Sequence, residues 1–177
     1  MNKTSTAILA AALALAIVPA KASGQTETDP LLAGIDEAAE RAAILELIDR
    51  AFDAVASDDP DHWRPLLSDQ ARELSFRLDK EGALVMRESA TADMFEQMQP
   101  GGEPRYIERW TGAPTVQIRG PIANVWGPYD FWIDGAFSHC GVDTVHLAKI
   151  DGAWKIAHWM WTVERQGCVT AGDPAPK

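Results

Sequence analysis

Apolar residues in the first half of the chain recur with the period of an α-helix. Residues 36–56 are predicted as an amphipathic helix, because apolar side chains fall at i, i+3 and i+4 spacing: Ile44, Leu47, Ile48, Ala51, Phe52 and Val55. Asp59 and Pro60 are typical of the N-cap and first turn of a second, short helix. Helical spacing returns over residues 88–98, whereas residues 74–78 alternate as a strand does.

Alternation and tight turns replace helical spacing from Tyr106 onward. Asp134-Gly135 and Asp151-Gly152 each stand between apolar runs, and Asp-Gly is a strong signal for a two-residue hairpin loop. These signals predict a meander of about four long antiparallel strands. Helices segregated against one antiparallel sheet make an α+β domain, which is the predicted fold class.

The two hairpin turns also predict which residues of the sheet are neighbours. If each loop has two residues, Ile133 pairs with Ala136 and Ile150 pairs with Ala153. Counting back along the strands gives further opposite pairs: Asn124 and Val145, Trp126 and Asp143, Asp130 and His139, Asp143 and Met160, Val145 and His158, Leu147 and Ile156. One face then combines two carboxylates, two imidazoles and apolar walls within cross-strand reach.

This face is the predicted ligand site. His139 beside Asp130 suits a general base, because a carboxylate raises the proton affinity of an imidazole. Asp143 in apolar surroundings suits a neutral acid, since burial disfavours the charged carboxylate. The other predicted ligand-binding residues are Phe95, Asn124, Trp126, His158 and Met160. The alternative is a structural cross-strand pair without chemistry, with His158 as a satisfied core residue.

The opposite face of the predicted sheet is too apolar to face water. It carries Tyr129, Phe131, Trp159 and Trp161, and an exposed aromatic face of this kind usually marks an interface. We therefore expect a homodimer through this face. The alternative is a cover formed by residues 23–33 or by the C-terminal tail.

Composition limits the partners and the compartment. The formal net charge is −10, with 16 Lys and Arg against 26 Asp and Glu, which argues against a nucleic-acid partner. Residues 1–22 are typical of a secretory signal peptide, with Lys3 before an apolar run and Ala20-Lys21-Ala22 as cleavage pattern. The expected location is periplasmic or extracellular, without stable membrane insertion after cleavage. Residues 23–33 are predicted as a flexible leader, 34–166 as the domain and 167–177 as a flexible tail.

Two cysteines are present, Cys140 and Cys168. In an oxidising compartment they are expected to form a disulfide, and two buried free thiols are the alternative. The chain has no H-E-x-x-H, no C-x-x-C and no glycine-rich phosphate loop. We therefore expect no metal site and no cofactor.

The order of elements resembles the nuclear transport factor 2-like superfamily, whose cystatin-like α+β cone wraps a curved sheet around a pocket capped by helices. Residues 129–135, 138–143 and 152–156, with Leu147 between the last two, resemble the pattern Y-x-F…D-G…S-H-x-G-x-D…L…G-W-K-I of bacterial SnoaL-like members. The resemblance implies either a cofactor-independent isomerase, dehydratase or cyclase acting on an apolar carbonyl compound, or a ligand-binding or dimerisation module without turnover. The sequence leaves open which of these the protein is. The first helix lacks the Tyr of ketosteroid isomerases, which argues against steroid isomerisation.

Overall fold

The computed structural model describes residues 29–169, which form three α-helices, seven β-strands and two 3-10 helices, Pro30–Leu32 and Arg64–Leu66. The helices are α1 (Glu37–Ser57), α2 (Pro60–Trp63) and α3 (Thr91–Phe95). The strands are β1 (Leu67–Leu78), β2 (Leu84–Ala90), β3 (Tyr106–Trp110), β4 (Thr115–Arg119), β5 (Ile122–Ile133), β6 (Ala136–Ile150) and β7 (Ala153–Val163). The predicted signal peptide lies outside the described residues, as do residues 23–28 of the leader and 170–177 of the tail.

One curved, mixed sheet carries the helices, with strand order β2-β1-β7-β6-β5-β3 and β4 also paired to β5. The predicted α+β class is confirmed. The sheet is not purely antiparallel, however, because β1 lies parallel to β7. Alternation in the sequence identifies a strand but not its partner, and here the first strand adds to the last. No helix of residues 29–169 is long and apolar enough to cross a membrane.

The long helix α1 packs its apolar stripe on the sheet as its spacing predicts. Asp36 caps it by accepting hydrogen bonds from the backbone N–H groups of Ala38 and Ala39. The core brings the helix against β5, β6 and β7, with these members buried: Ile44, Ile48, Ala51, Phe52, Val125, Val145, Leu147, Ile156 and Trp159. The predicted helix over 88–98 is correct only for the five residues of α3, because residues 84–90 pair with β1 as a strand.

Both Asp-Gly turns form as predicted, but each hairpin contains a bulge. Ile133 pairs with Ala136 and Ile150 with Ala153. Beyond the first pairs, Ser138 of β6 has no partner on β5, so that Phe131 pairs with His139. Similarly, Ala157 of β7 has no partner on β6. The predicted pair of Leu147 and Ile156 forms, and the next pair is His146 with His158. An extra residue on one strand shifts the register of everything beyond it by one.

The predicted pairs beyond the bulges are therefore wrong. Asp130 lies opposite Cys140, Asn124 opposite His146, and Trp126 opposite Thr144. Asp143 lies opposite Gly127 and Trp161, and Val145 opposite Val125 and Trp159. Side chains along a strand alternate between the two faces of the sheet. A shift of one residue on β7 therefore places each later side chain of β7 on the face opposite to the predicted one.

The face predicted as a dimer interface is in truth the face beneath the helices. Tyr129 and Trp159 are 1% and 5% exposed, and both line the cavity described below together with Phe131 and Trp161. The predicted interface is therefore wrong in its location, because α1, α2 and α3 cover this side of the sheet. A homodimer as such stays a prediction, as does export.

The expected disulfide joins Cys140 on β6 to Cys168 beyond β7. It holds the first part of the predicted flexible tail against the sheet, beside backbone hydrogen bonds between Cys140 and Glu164 of 3.0 and 2.8 Å. On β6, Cys140 directly follows His139 and precedes Asp143 by three residues.

Replacing both cysteines by Ser is expected to lower the free energy of unfolding by about 2 to 4 kcal/mol, because the cross-link closes a loop between residues 28 positions apart. Urea denaturation followed by tryptophan fluorescence measures the change. The wild-type protein unfolded in reductant serves as the control and should match the double variant. Equal denaturation midpoints with and without the bond would contradict the expectation.

Candidate ligand-binding pocket

A cavity of about 430 Å³ lies between the helices and the inner face of the sheet. A second cavity of about 350 Å³ adjoins it, and the two share residues such as Met94, Met98 and Tyr106. Six aromatic side chains line the larger cavity: Trp63, Tyr106, Tyr129, Phe131, Trp159 and Trp161. A cavity of this size and character falls in the range of small-molecule sites.

Two carboxyl groups meet at the base of the cavity, Glu108 from β3 and Asp143 from β6. Asp143 is fully buried, and one of its oxygens accepts a hydrogen bond from the Trp159 indole N–H at 3.0 Å. The other oxygen has no hydrogen-bond partner of fixed geometry among the described residues, and the Glu108 carboxyl interacts with the Asp143 side chain. Two carboxylates in hydrogen-bond contact do not both ionise, so the pair shares a proton.

The environment determines which member holds that proton. Burial, together with the charge and hydrogen bond of Asp143, raises the pKa of Glu108 well above its usual range. Burial also raises the pKa of Asp143, to about 7, although hydrogen bonds from Trp159 and Glu108 act in the opposite direction. Glu108 therefore carries the proton and donates it to Asp143. The predicted raised proton affinity of Asp143 agrees in direction, but its partner was not anticipated.

A third acidic group, Glu73 on β1, lines the same cavity. Burial raises the pKa of Glu73 to about 7, and the positive charge of Arg87 only partly offsets the effect. The carboxyl groups of the cavity thus carry less negative charge at neutral pH than their number suggests.

His139 lines the cavity from β6, stacked on Phe131 with ring centroids 4.9 Å apart. Its Nδ1 lies 3.0 Å from the Ser138 hydroxyl oxygen. Burial, with a smaller effect of the Arg165 charge, lowers the pKa of His139 to about 4, so the ring is neutral near pH 7. The expected rise in proton affinity is wrong, because the carboxylate that was to cause it lies elsewhere.

That carboxylate, Asp130, is buried on the other face of β5. It accepts two hydrogen bonds from the Arg109 guanidinium, at 2.8 and 2.9 Å. Asp130 and His139 are therefore not a pair, and the predicted catalytic role of Asp130 loses its geometric basis. The bidentate ion pair instead links β3 to β5 behind the cavity.

The other predicted ligand-binding residues are also absent from the cavity walls. Asn124 accepts a hydrogen bond from the Thr144 hydroxyl at 2.8 Å, and Trp126 is 53% exposed. His158 lies edge-on to His146, and Met160 pairs with Thr144 on the same outer side. Phe95 on α3 packs beneath the Arg64 guanidinium, 4.7 Å from its ring centre. The two bulges explain why the predicted residues of the sheet are not in the cavity wall, since the bulges change which residues point inward.

Glu108 is the main site residue that the sequence analysis missed. A signal was available in β3, where Tyr106, Glu108 and Trp110 alternate on one face, so that a carboxyl group stands in an aromatic stripe. Three arginines at the cavity opening were also missed, namely Arg77, Arg87 and Arg165. Their signal was weaker, because single arginines near strand ends are common on protein surfaces.

Solved structures identify the architecture. An NTF2-like protein of unknown function from Shewanella baltica matches with a TM-score of 0.53 and 19% identity, over 75% of this chain and 99% of that one. An NTF2-like superfamily protein from Salmonella enterica matches with a TM-score of 0.56 and 17% identity, over 76% and 98%. The fold is NTF2-like. An NTF2-like protein with a cystatin-like fold from Novosphingobium aromaticivorans matches similarly, with a TM-score of 0.55 and 15% identity over 76% and 87%.

The comparisons establish the fold but not the chemical activity of the pocket. No family model and no curated protein matches this chain. NTF2-like folds are known for ligand binding and for some enzymes, so the fold is compatible with either. The finer resemblance to SnoaL-like members stays a prediction. The function of the protein therefore depends on the Glu108–Asp143 pair and its surroundings.

Proposed function

We propose that this protein binds a small, largely apolar carbonyl compound in the cavity and removes a proton from the carbon next to the carbonyl. The observation that carries the proposal is that the Glu108 carboxyl lines an aromatic cavity and the fully buried Asp143 carboxyl lies behind it. A base of this kind serves isomerisation, loss of water and cyclisation alike, since each can begin with that proton transfer.

The pair supplies a base of suitable strength. With one shared proton it has a single negative charge, and Glu108 presents its carboxyl to the cavity whereas Asp143 lies behind it. Glu108 accepts the proton from the ligand carbon as its own proton passes to Asp143. Both carboxyl groups end neutral, and the electron pair of the broken C–H bond moves into the ligand as an enolate. Burial of the pair favours this uncharged product state.

His139 is placed to stabilise the enolate oxygen. The neutral ring has one N–H, and when the Ser138 hydroxyl donates to Nδ1 that hydrogen is on Nε2. An imidazole N–H in the cavity wall then donates to the oxygen on which negative charge develops. In this proposal His139 is an electrophile and not the base expected from the sequence.

The first test is hydrogen–deuterium exchange at the acidic carbon of 2-tetralone, an apolar cyclic ketone, followed by NMR in D2O. The protein is expected to accelerate exchange, and the rate per protein is expected to rise with pH and level off above about 7. The rate rises with pH because the Glu108–Asp143 pair acts as a base only after it has lost the first of its two protons.

Heat-denatured protein at the same concentration is the control. Exchange no faster than in the control, with saturable binding of 2-tetralone to the native protein, would overturn the catalytic proposal. That result would favour the alternative of a binding module without turnover.

A further inference from the structure

Three arginines stand together at one opening of the cavity. Arg77 on β1 and Arg87 on β2 belong to paired strands. Arg165 lies two residues beyond the end of β7, which pairs with β1 on its other side. Val163, two residues before Arg165, lies opposite Arg77. The three residues are exposed and line the same cavity as Glu108.

These guanidinium groups form no salt bridge in the part of the chain that the structure describes, although the charge of Arg87 acts on the Glu73 carboxyl. Arg41, Arg64, Arg72 and Arg109 each form a salt bridge there, whereas none of the three rim arginines lies within 4.0 Å of a carboxylate oxygen. Three positive charges without a salt bridge at one opening are unexpected in a protein with a net charge of −10. Their position, and not the overall charge, therefore determines which ligands approach.

The acidic groups of the cavity do not cancel this charge. The larger cavity is lined by Asp58, Glu73 and Glu108, with Asp143 behind Glu108. Glu108 and Asp143 share a proton, and burial raises the pKa of Glu73 to about 7. The positive charge also extends inward, because Arg165 contributes to the lowered pKa of His139. The opening thus carries three guanidinium charges above an aromatic interior in which the Glu108–Asp143 pair keeps one negative charge.

We propose that the ligand carries an anionic oxygen group, a carboxylate or a phosphate, that the rim arginines bind while its apolar body fills the aromatic cavity. This inference rests on the proposed function and names the class of substrate. A guanidinium group presents two parallel N–H donors that match the oxygens of either anion. Binding the anion at the rim places the opposite end of the ligand toward Glu108, so the arginines orient the substrate as well as select it.

Three aromatic probes of equal ring size test the inference by isothermal titration calorimetry: 2-naphthoate, 2-naphthyl phosphate and the neutral 2-naphthamide. At least one anion is expected to bind roughly tenfold more tightly than the amide, because a charge-assisted hydrogen bond is stronger than a neutral one. The preferred anion identifies the group, carboxylate or phosphate. Added salt should weaken anion binding and leave amide binding unchanged.

Variants assign the preference to the arginines. Arg165→Gln and Arg87→Gln are each expected to lower the affinity for the preferred anion several-fold without changing the affinity for 2-naphthamide. Arg119→Gln is the matched control, because Arg119 is exposed on β4 and does not line the cavity.

Equal affinity of the wild-type protein for amide and anions would overturn the arginine inference and leave the proposed function intact. So would an anion preference that survives both rim variants. Failure of all three probes to bind would overturn both proposals, since the aromatic cavity would then not accept a ring compound.

Discussion

Replacing Glu108 with Gln is expected to lower the rate of 2-tetralone exchange by about 10²- to 10⁴-fold, the usual contribution of a positioned general base. The amide keeps the size and hydrogen-bonding capacity of the side chain but cannot accept the proton from the ligand carbon. The rise of the rate with pH should disappear together with the activity, because Gln cannot take the proton from the ligand carbon even when Asp143 is ionised. The NMR exchange assay measures both effects.

The matched control is Glu81→Gln, which makes the same chemical change at an exposed position between β1 and β2. It should exchange 2-tetralone at the wild-type rate. Binding of 2-naphthamide to the Glu108→Gln protein should be preserved, which separates loss of chemistry from loss of the pocket. If Glu108→Gln keeps more than a tenth of the wild-type rate at pH 7, Glu108 is not the base.

The same substitution separates two views of the pair. A structural pair would serve only to satisfy buried polar groups, and replacing its protonated member by an amide would keep the hydrogen bond to Asp143. The fold and ligand binding would then survive, and no activity would be lost. A catalytic pair also survives as a structure, but it loses the acceptor for the proton. Only activity and its pH dependence distinguish the two.

Local signals in the sequence predict most elements of this fold correctly. The apolar stripe from Ile44 to Val55 specifies α1, and the Asp-Gly turns specify where β5, β6 and β7 begin and end. These features depend on neighbours in the sequence, which is why periodicity reveals them. The parallel pairing of β1 with β7 is different in kind, because it joins segments about half the chain apart and has no local signal.

The candidate site was placed on the wrong face because of the two bulges. The inward residues of β7 change from even to odd numbers along the strand: Trp154 and Ile156 before Ala157, Trp159 and Trp161 after it. That phase change is visible in the sequence as W-x-I-x-x-W-x-W, and it predicts a bulge between Ile156 and Trp159. Strict alternation extrapolated through this point assigns every later residue to the opposite face.

The contact between Glu108 and Asp143 cannot be predicted from strand alternation, even when the two bulges are taken into account. Glu108 is on β3 and Asp143 on β6, with β5 between them. Side chains on strands so separated meet only because the sheet is curved and their own side of it is concave. Gly127, opposite Asp143 on β5, also leaves room there for the Trp110 ring. Curvature of the sheet, and thus this pair, depends on the whole structure.

Gly141 tolerates no side chain, and we expect Gly141→Ala to lower the free energy of unfolding by about 3 kcal/mol or more. A Cβ at this position would lie 2.0 Å from the backbone oxygen of Thr162, far inside van der Waals contact. That oxygen accepts a hydrogen bond from the Tyr129 hydroxyl at 2.8 Å. The neighbouring backbone pair of Cys140 and Glu164, together with the disulfide, holds the two strands at this spacing.

Gly112→Ala is the matched control, because a Cβ there would meet only the Pro128 side chain at 3.4 Å. Its stability in urea should stay within about 0.5 kcal/mol of wild type, as for other surface changes. If Gly141→Ala unfolds at the wild-type midpoint, the close approach of β6 and β7 is not a constraint on the fold.

Gly141→Ala is also expected to weaken ligand binding in the cavity. To admit the methyl group, Thr162 must move away from Gly141, and the Tyr129 hydroxyl, part of the cavity wall, loses its acceptor. A buried hydroxyl without a partner then adds its own cost. Under conditions where the Gly141→Ala protein remains folded, it should therefore bind 2-naphthamide more weakly than Gly112→Ala does. A stability defect with unchanged affinity would separate the strand spacing from the shape of the cavity.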